Sequence, residues 1–388
     1  MLYLDHNATT PPLPAVVAAM VEALGQHWAN PSSQHEAGQA ARAVLQRARE
    51  QVARGLGCQP AELVFTSGAT EANHLALRGA VGHGGRAAVV ISAGEHSGVH
   101  KLASLLARQG VPIGVIGLQP DGGLKLDDAQ SLIGEHTSLV SVMAAQNETG
   151  VLMPTAEMAR LAHARGALLH VDATQLVGKL PFDFARSGAD LVSVSAHKFG
   201  GPKGVGALIV RKGLNWPALF PGSQERGRRG GTENLAGIVG FGVAAEHMAW
   251  SAANWQERTA RLARLRDRFE ARLKANCADV VVFGAGLPRL PQTSFLRIAR
   301  VHADLALKRL ADLGACASSG AACSSGGQVP SAALTAMGLP QDEALCAVRL
   351  SLSPDTPEAE LLSLADAWPR SLADVLTEPP RIPTGVAA

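Results

Sequence analysis

The chain has 388 residues, 47% of them hydrophobic, which is enough material for a large globular core and a length that suggests roughly two to three domains. Its formal charge is only +2, with basic and acidic residues spread along its length, so the basic stripe of a nucleic-acid binder is excluded. No window approaches the roughly 18 uninterrupted apolar residues of a membrane span, and Met1–Asp5 turns polar too early for a signal peptide; a soluble cytoplasmic protein without nucleic-acid or membrane partners is expected.

In chain order, the first periodic segment is Glu36 to Leu56, where Ala40, Val44, Ala48, Val52 and Leu56 recur every four residues and predict one packed helix face. Seven short, apolar, mostly β-branched runs follow: Leu63–Phe65, Ala88–Ile91, Val111–Ile116, Leu139–Met143, Leu168–Val171, Leu191–Val194 and Ala207–Val210. Their alternation with helical stretches predicts an α/β domain around a largely parallel, buried sheet. Polar residues gather directly after five of the runs, at Thr66–Glu71, Ser92–His96, Gln146–Gly150, Asp172–Gln175 and Ser195–Lys198. Open α/β sheets bind ligands beyond the carboxyl ends of their strands, so these five clusters should meet in one crevice. Past Gly240, Trp255, Leu262, Leu265, Phe269 and Leu273 mark a long amphipathic helix, with arginines on its other face, that connects to an α+β remainder. The proline-rich end Glu378–Ala388 is expected to fray.

Two strand ends carry the most chemistry. One run ends in Ser195-Ala196-His197-Lys198, and another ends in Asp172. A lysine amine for a covalent imine, a carboxylate against a pyridine nitrogen and small polar groups around a phosphate are what pyridoxal phosphate requires, and Lys198, Asp172 and the Ser195/His197 pair offer all three. Either strand end alone reads as an ordinary capped strand; their pairing favours the cofactor. Gly68-Ala69-Thr70 opens a helix after a strand and suits a phosphate at the positive end of the helix dipole. Gly200–Gly206 fails as a P-loop, because Lys203 is followed by Gly204, and as a dinucleotide loop, because it precedes a strand.

Other motifs are less specific. His170-Val-Asp172 has the spacing of part of an iron-binding triad, but a satisfied core histidine is the better reading. His96 is suited to stacking on a cofactor ring and shuttling protons at neutral pH, a catalytic role, and equally to an ordinary hydrogen-bonded loop role. Arg226, Arg228 and Arg229 beside Gly230–Asn234 read as a solvated turn. Cys58, Cys277, Cys316, Cys323 and Cys346 are scattered without a CxxC pair, which argues against disulfides or structural zinc, and most are expected to be buried small residues. Cys323 differs: it sits in the glycine-bounded segment Ser318–Pro330, where a thiol is available as a nucleophile. Arg349, inside an apolar run, needs either a substrate carboxylate or an internal acid as partner.

Taken in order, Leu4–Pro11, Asn30–His35, Phe65–Glu71, Glu95-His96, Asn147–Gly150, Val171–Gln175, Ser195–Lys198, Gln224–Asn234 and Ser318–Cys323 resemble cysteine desulfurases of the NifS/IscS type, which are class V aminotransferase relatives. The resemblance runs from about Leu2 to about Ser353. It implies a fold-type I pyridoxal phosphate-dependent transferase: a large domain (16–252) with a mainly parallel seven-stranded sheet between helices, and a smaller α+β domain (1–15 and 253–388) carrying the cysteine loop 318–330. It further implies that Lys198 carries the cofactor, Asp172 pairs with the pyridinium, His96 stacks on the ring, and Asn147 and Gln175 meet the ring hydroxyl region. Ala69, Thr70, Ser195 and His197 would hold the phosphate, with Thr232 reaching the phosphate of the neighbouring subunit in a homodimer. Arg349, with Asn30 and Asn147 nearby, would bind the carboxylate of L-cysteine.

On that pattern Cys323 takes the substrate sulfur as a persulfide, L-alanine leaves, and the sulfur passes to an acceptor protein such as an iron–sulfur scaffold. A transient iron–sulfur contact at Cys323 is the sole metal interaction implied. Gln146 replaces a common Asn, Gly98 a common Ala and Ala321 a frequent Ser, and Gly326-Gly327-Gln-Val-Pro330 lacks the Leu-Glu-Pro of housekeeping members. Two alternatives stand beside this: a related pyridoxal phosphate enzyme (selenocysteine lyase, other C–S lyase or transaminase), or a non-catalytic sulfur or metal carrier.

Overall fold

A computed structural model describes residues 1–250, 255–320 and 330–376. Six of the seven β-branched runs form strands buried on both faces, as a sheet covered by helices requires, while Ile113–Ile116, at the sheet's edge, is only partly covered, with Val115 48% exposed. The large sheet contains β2 (Leu63–Thr66), β3 (Ala88–Ser92), β4 (Ile113–Ile116), β5 (Thr137–Met143), β6 (Leu168–Asp172), β7 (Leu191–Ser195) and β8 (Gly206–Val210), preceded in the chain by the short β1 (Leu2–Tyr3). Its order is β2-β8-β7-β6-β5-β3-β4. Only β8 runs against the rest, pairing antiparallel with β2 and β7. The carboxyl ends of β2, β3, β5, β6 and β7 therefore share one edge, and register aligns them: Met143 lies opposite Asp172, Asp172 opposite Ser193, and both Thr66 and Ser195 opposite Gly206.

The helix predicted over Glu36–Leu56 has those bounds, but its buried face runs through Ala41, Leu45, Ala48, Val52 and Leu56. Ala40 is exposed and Val44 only half-buried, contrary to the expected stripe. A helix turns 3.6 residues per turn, so a strict four-residue spacing drifts steadily off the packed face.

Four further strands, β9 (Val280–Val282), β10 (Thr293–Ile298), β12 (Ser318–Ser319) and β13 (Val348–Ser351), form an antiparallel sheet in the order β12-β13-β10-β9, and β11 (Ala315–Cys316) pairs parallel with β1. Around them lies a second core of Leu2, Leu4, Leu262, Leu265, Phe269, Leu273, Leu350 and Trp368. The predicted amphipathic helix, Trp255–Asn276, starts with Trp255 against the large-sheet core and buries its other predicted residues in this second one. One of its arginines departs from the exposed face: Arg266 is buried and donates to the Leu290 carbonyl at 2.8 Å.

Residues 4–8 join the two regions. Ser351 N–H donates to the Leu4 carbonyl at 2.7 Å, and Asn7 N–H to Ser351 Oγ at 2.8 Å. The segment thus leaves the second core and runs along the carboxyl edge of the large sheet. Among the described residues no helix is long and apolar enough to cross a membrane. The predicted frayed end, 378–388, lies outside the described residues.

Candidate active site

At the end of β6, Asp172 is 2% exposed and its carboxylate accepts two hydrogen bonds, from Asn73 Nδ2 at 2.8 Å and from Thr174 N–H at 2.9 Å. A second acid, Glu95, lies buried beside it at the end of β3. Burial foremost, then the Asp172 charge, pushes Glu95 up to about 8, so that it is neutral at pH 7 and adds no second negative charge behind Asp172. Two neighbouring buried atoms, Asn73 Oδ1 and Thr174 Oγ1, have no hydrogen-bond partner within the protein. Buried polar atoms rarely stay unpaired, so the crevice is built to receive a polar ligand.

Beyond β2, the helix Ala69–Ala80 starts at Gly68, whose φ of +155° suits glycine and which offers no side chain to cap the first turn. A Cβ on Gly68 would lie 3.8 Å from Ser195 Oγ at the end of β7, and a Cβ on Gly206 would fall 2.8 Å from Gly68 Cα. Small residues thus bring uncapped helix N–H groups beside a buried serine hydroxyl, which suits an anion such as phosphate. Ala69 is half-exposed and Thr70 exposed at this mouth. His197 contacts Thr9 Oγ1 through Nδ1 at 3.1 Å; burial foremost, then the charges of Lys198, Lys179 and Lys203, lower it to about 4, so it is neutral at pH 7. His96 Nδ1 accepts from Gly98 N–H at 3.1 Å. The Cβ direction of Gly98 points between His96 Nδ1, at 3.2 Å, and Thr70 Cγ2, at 3.7 Å, so the departure to glycine eases a tight junction between these two predicted residues.

Lys198 Nζ donates to the Asn7 carbonyl at 2.7 Å and to the Ala8 carbonyl at 2.9 Å. Gln175 Nε2 donates to the same Asn7 oxygen at 2.9 Å. Asn147 is half-buried, and its carbonyl accepts from Arg349 Nη1 at 2.9 Å. Arg349 is 5% exposed; its Nη2 pairs with Asp5 at 3.0 Å, while its Nε has no partner. The internal acid expected as one alternative for Arg349 is therefore Asp5.

The structure thus gathers Ala69, Thr70, His96, Asn147, Asp172, Gln175, Ser195, His197, Lys198 and Arg349 on the carboxyl edge of the sheet. Asn30 is exposed with its Oδ1 taken by Ser32 N–H, and Thr232 is exposed in a small cleft with Thr66 and Ser67. Cys323 and most of the segment 318–330 lie outside the described residues. Both flanks of that segment meet the carboxylate next to Asn147: Ser331 Oγ donates to Glu148 Oε2, and a Cβ on Gly320 would lie 2.8 Å from the same oxygen. Burial pushes Glu148 up to about 7, against the opposing pull of Ser331, Arg349 and His96. His170 is a satisfied core residue, bonded to Ser141 Oγ and Ser193 Oγ at 2.9 Å each. The expectation that most cysteines are buried is corrected: Cys58, Cys277 and Cys316 are half-buried and only Cys346, of the four described, is buried, because three sit at element ends or in the short β11.

Sequence reasoning missed Asn7, whose contribution is a backbone oxygen, and Asp5. It also missed Asn73, although its spacing of three from Thr70 places both near one side of the same helix.

A model of the aminotransferase class-V family matches residues 2–364. A curated cysteine desulfurase of Klebsiella pneumoniae is 42% identical over 362 residues, covering 93% of this chain and 90% of that one. Among solved structures, a NifS-like protein superposes with a TM-score of 0.86 at 31% identity, covering 94% of this chain and 98% of that chain. The structure titled "SspA in complex with cysteine" superposes with a TM-score of 0.80 at 30% identity, covering 91% and 99%. With its mainly parallel sheet of fold-type I architecture and matched over nearly its whole length, the chain belongs to the aminotransferase class-V family.

Proposed function

We propose that this protein is a pyridoxal phosphate-dependent cysteine desulfurase, converting L-cysteine to L-alanine and leaving the sulfur as a persulfide on Cys323. The observation that carries the reading is the convergence of Lys198 with a buried, doubly hydrogen-bonded Asp172 on one sheet edge, in a chain 42% identical to a curated cysteine desulfurase. The donor set fits the cofactor: an amine, a carboxylate, an uncapped helix N-terminus and unpaired buried polar atoms. When bound, pyridoxal phosphate supplies an electron sink for the substrate Cα.

The chain's own groups then have defined tasks. Lys198 anchors the cofactor and moves a proton at the substrate Cα; Asp172 holds a proton on the pyridine nitrogen, oriented by Asn73 and Thr174 N–H. The first turn Ala69–Thr70, Ser195 and neutral His197 take the phosphate, and Thr232 does so for a second subunit. His96 would hold the ring, and Asn147 and Gln175 would bind its hydroxyl. Arg349, with an unpaired Nε, binds the substrate carboxylate, assisted by Asn147, whose carbonyl it holds, and by Asn30. The sulfur leaves the substrate for the Cys323 thiolate and goes on to an acceptor protein such as an iron–sulfur scaffold.

Homodimer formation is supported by Val17, Val21, Leu24 and Trp28, which are 47%, 65%, 65% and 78% exposed on successive turns of the helix Pro14–Gln26 or just past its end and suit a second copy. Cytoplasmic residence and the division into 16–252 and 1–15 with 253–388 belong to the same proposal.

The test is to incubate the protein with pyridoxal phosphate, L-cysteine and a reductant and to quantify alanine and sulfide together. Equal amounts of both are expected from the native chain, and Cys323→Ser should still take up cofactor and cysteine yet release neither. Unchanged turnover in that variant would favour a related C–S lyase or transaminase, and absence of alanine from the native chain would favour a carrier.

A further inference from the structure

Lys179 is a second lysine at this crevice, and none of the tasks above uses it. It arrives there through the turn that follows Asp172. Gly178 in that turn has φ +78°, and a Cβ on it would lie 2.3 Å from Phe199 Cβ, so the turn presses directly on the residue after Lys198. Lys179 Nζ then donates to Gln175 Oε1. Gln175 is 3% exposed and donates Nε2 to the Asn7 carbonyl at 2.9 Å, the oxygen that also accepts from Lys198 Nζ. A peptide carbonyl only accepts, so Nε2 must face Asn7, and the Lys179 amine completes the arrangement by donating to the amide's other end. Lys179 is half-buried, and desolvation of its amine, reinforced by Lys198 and Arg349, pushes it well below the ordinary lysine range.

We infer that Lys179 is a positioning residue: it locks the Gln175 amide with Oε1 turned away, so that the second Nε2–H is presented as a donor to the ring-hydroxyl oxygen of the cofactor. An amide free to turn over would offer its oxygen there, an acceptor that repels an ionised hydroxyl. The inference rests on the proposed pyridoxal phosphate site.

The experiment measures uptake of two probes by the full chain freed of cofactor: pyridoxal phosphate and its 3-deoxy analogue, which lacks the ring hydroxyl. The native chain should prefer pyridoxal phosphate by about tenfold, the size of one hydrogen bond to a charged oxygen. Lys179→Met should reduce that preference to about twofold or less, Gln175→Leu should do the same, and the double variant should lose no more than either alone. Lys179→Arg, which keeps a donor of similar reach, should retain the preference; this arm decides the matter if Lys179→Met does not fold. A purely structural lysine would weaken both probes equally in Lys179→Met, and that result, or an undiminished preference, would overturn the inference. Uptake of neither probe by the native chain would instead overturn the cofactor reading itself.

Discussion

Glu95 offers the most direct test of the electrostatics at the sheet edge. It is 5% exposed, Ser92 Oγ donates to its Oε1 at 3.2 Å, and its Oε2 has no partner. Pushed from 4.5 up to about 8, it keeps its proton in the folded state at a pH where the unfolded chain has released it. Stability therefore falls as pH climbs above 4.5, and the loss levels off above about 8. The loss is about 1.4 kcal/mol per unit near pH 6 and fades as pH passes 8, about 3 kcal/mol in total from pH 6 to pH 9. For 388 residues the unfolding entropy is roughly 0.8 kcal/mol per kelvin, so that loss corresponds to about 3–4 °C. Glu95→Gln has the same shape and cannot ionise. Thermal unfolding of both proteins at pH 6 and pH 9 should show the variant gaining about 3–4 °C on the native chain over that interval. If the two proteins run parallel from pH 6 to pH 9, the argument that burial beside Asp172 keeps Glu95 protonated is wrong.

Three other substitutions or reagents probe neighbouring features. Gly206→Ala puts a Cβ 2.5 Å from the Val194 carbonyl oxygen and 2.8 Å from Gly68 Cα, and should destabilise the chain by about 1–3 kcal/mol while shrinking the thermal shift produced by pyridoxal phosphate; an unchanged shift would mean the Gly68 turn had not moved. Asp5→Asn leaves the largely buried Arg349 guanidinium without its counter-charge and should lower stability by about 3 kcal/mol in urea unfolding, whereas a loss under about 1 kcal/mol would assign Arg349 mainly to the Asn147 carbonyl. Cys58, pushed by burial from 9.0 up to about 12, holds about a thousandfold less thiolate at pH 8 than an ordinary cysteine, so iodoacetamide followed by peptide mass mapping should leave it unlabelled.

What could be read from the residues alone divides along physical lines. Strands covered on both faces appear as unbroken apolar runs rich in β-branched residues, and β2, β3 and β5 to β8 were legible for that reason; β4, a partly exposed edge strand interrupted by Gly114, was legible from its isoleucines and valine. Ligand chemistry collects past their carboxyl ends, so Asp172, Ser195 and Lys198 could be placed together before any coordinates. Asn7 could not: it acts through a carbonyl that every residue carries, and its partners Gln175 and Lys198 lie 168 and 191 positions away. The choice of Asp5 for Arg349 depends on a contact across 344 positions, for which residue spacing holds no signal. The Ala40 stripe failed for a simpler reason, since spacing by fours only approximates a helical face. Lys179 was visible as a lysine four residues after Gln175, but only its bond to the Gln175 amide, next to Lys198, distinguishes it from a solvated turn residue.

The bond from Asn7 to Ser351 has a consequence for biosynthesis. Residues 4–8 are among the first of this sequence to leave the ribosome, yet the hydroxyl that fixes them is made 344 codons later. Until β13 emerges, the segment that carries the two carbonyls gripping Lys198 is held only from the large-sheet side, by Gln175 and His197, so a nascent chain can complete that sheet before this edge has its full set of anchors. A chain stalled after β8 has cleared the exit tunnel but before codon 351 is read would therefore present the sheet with a catalytic edge that still lacks its Ser351 anchor.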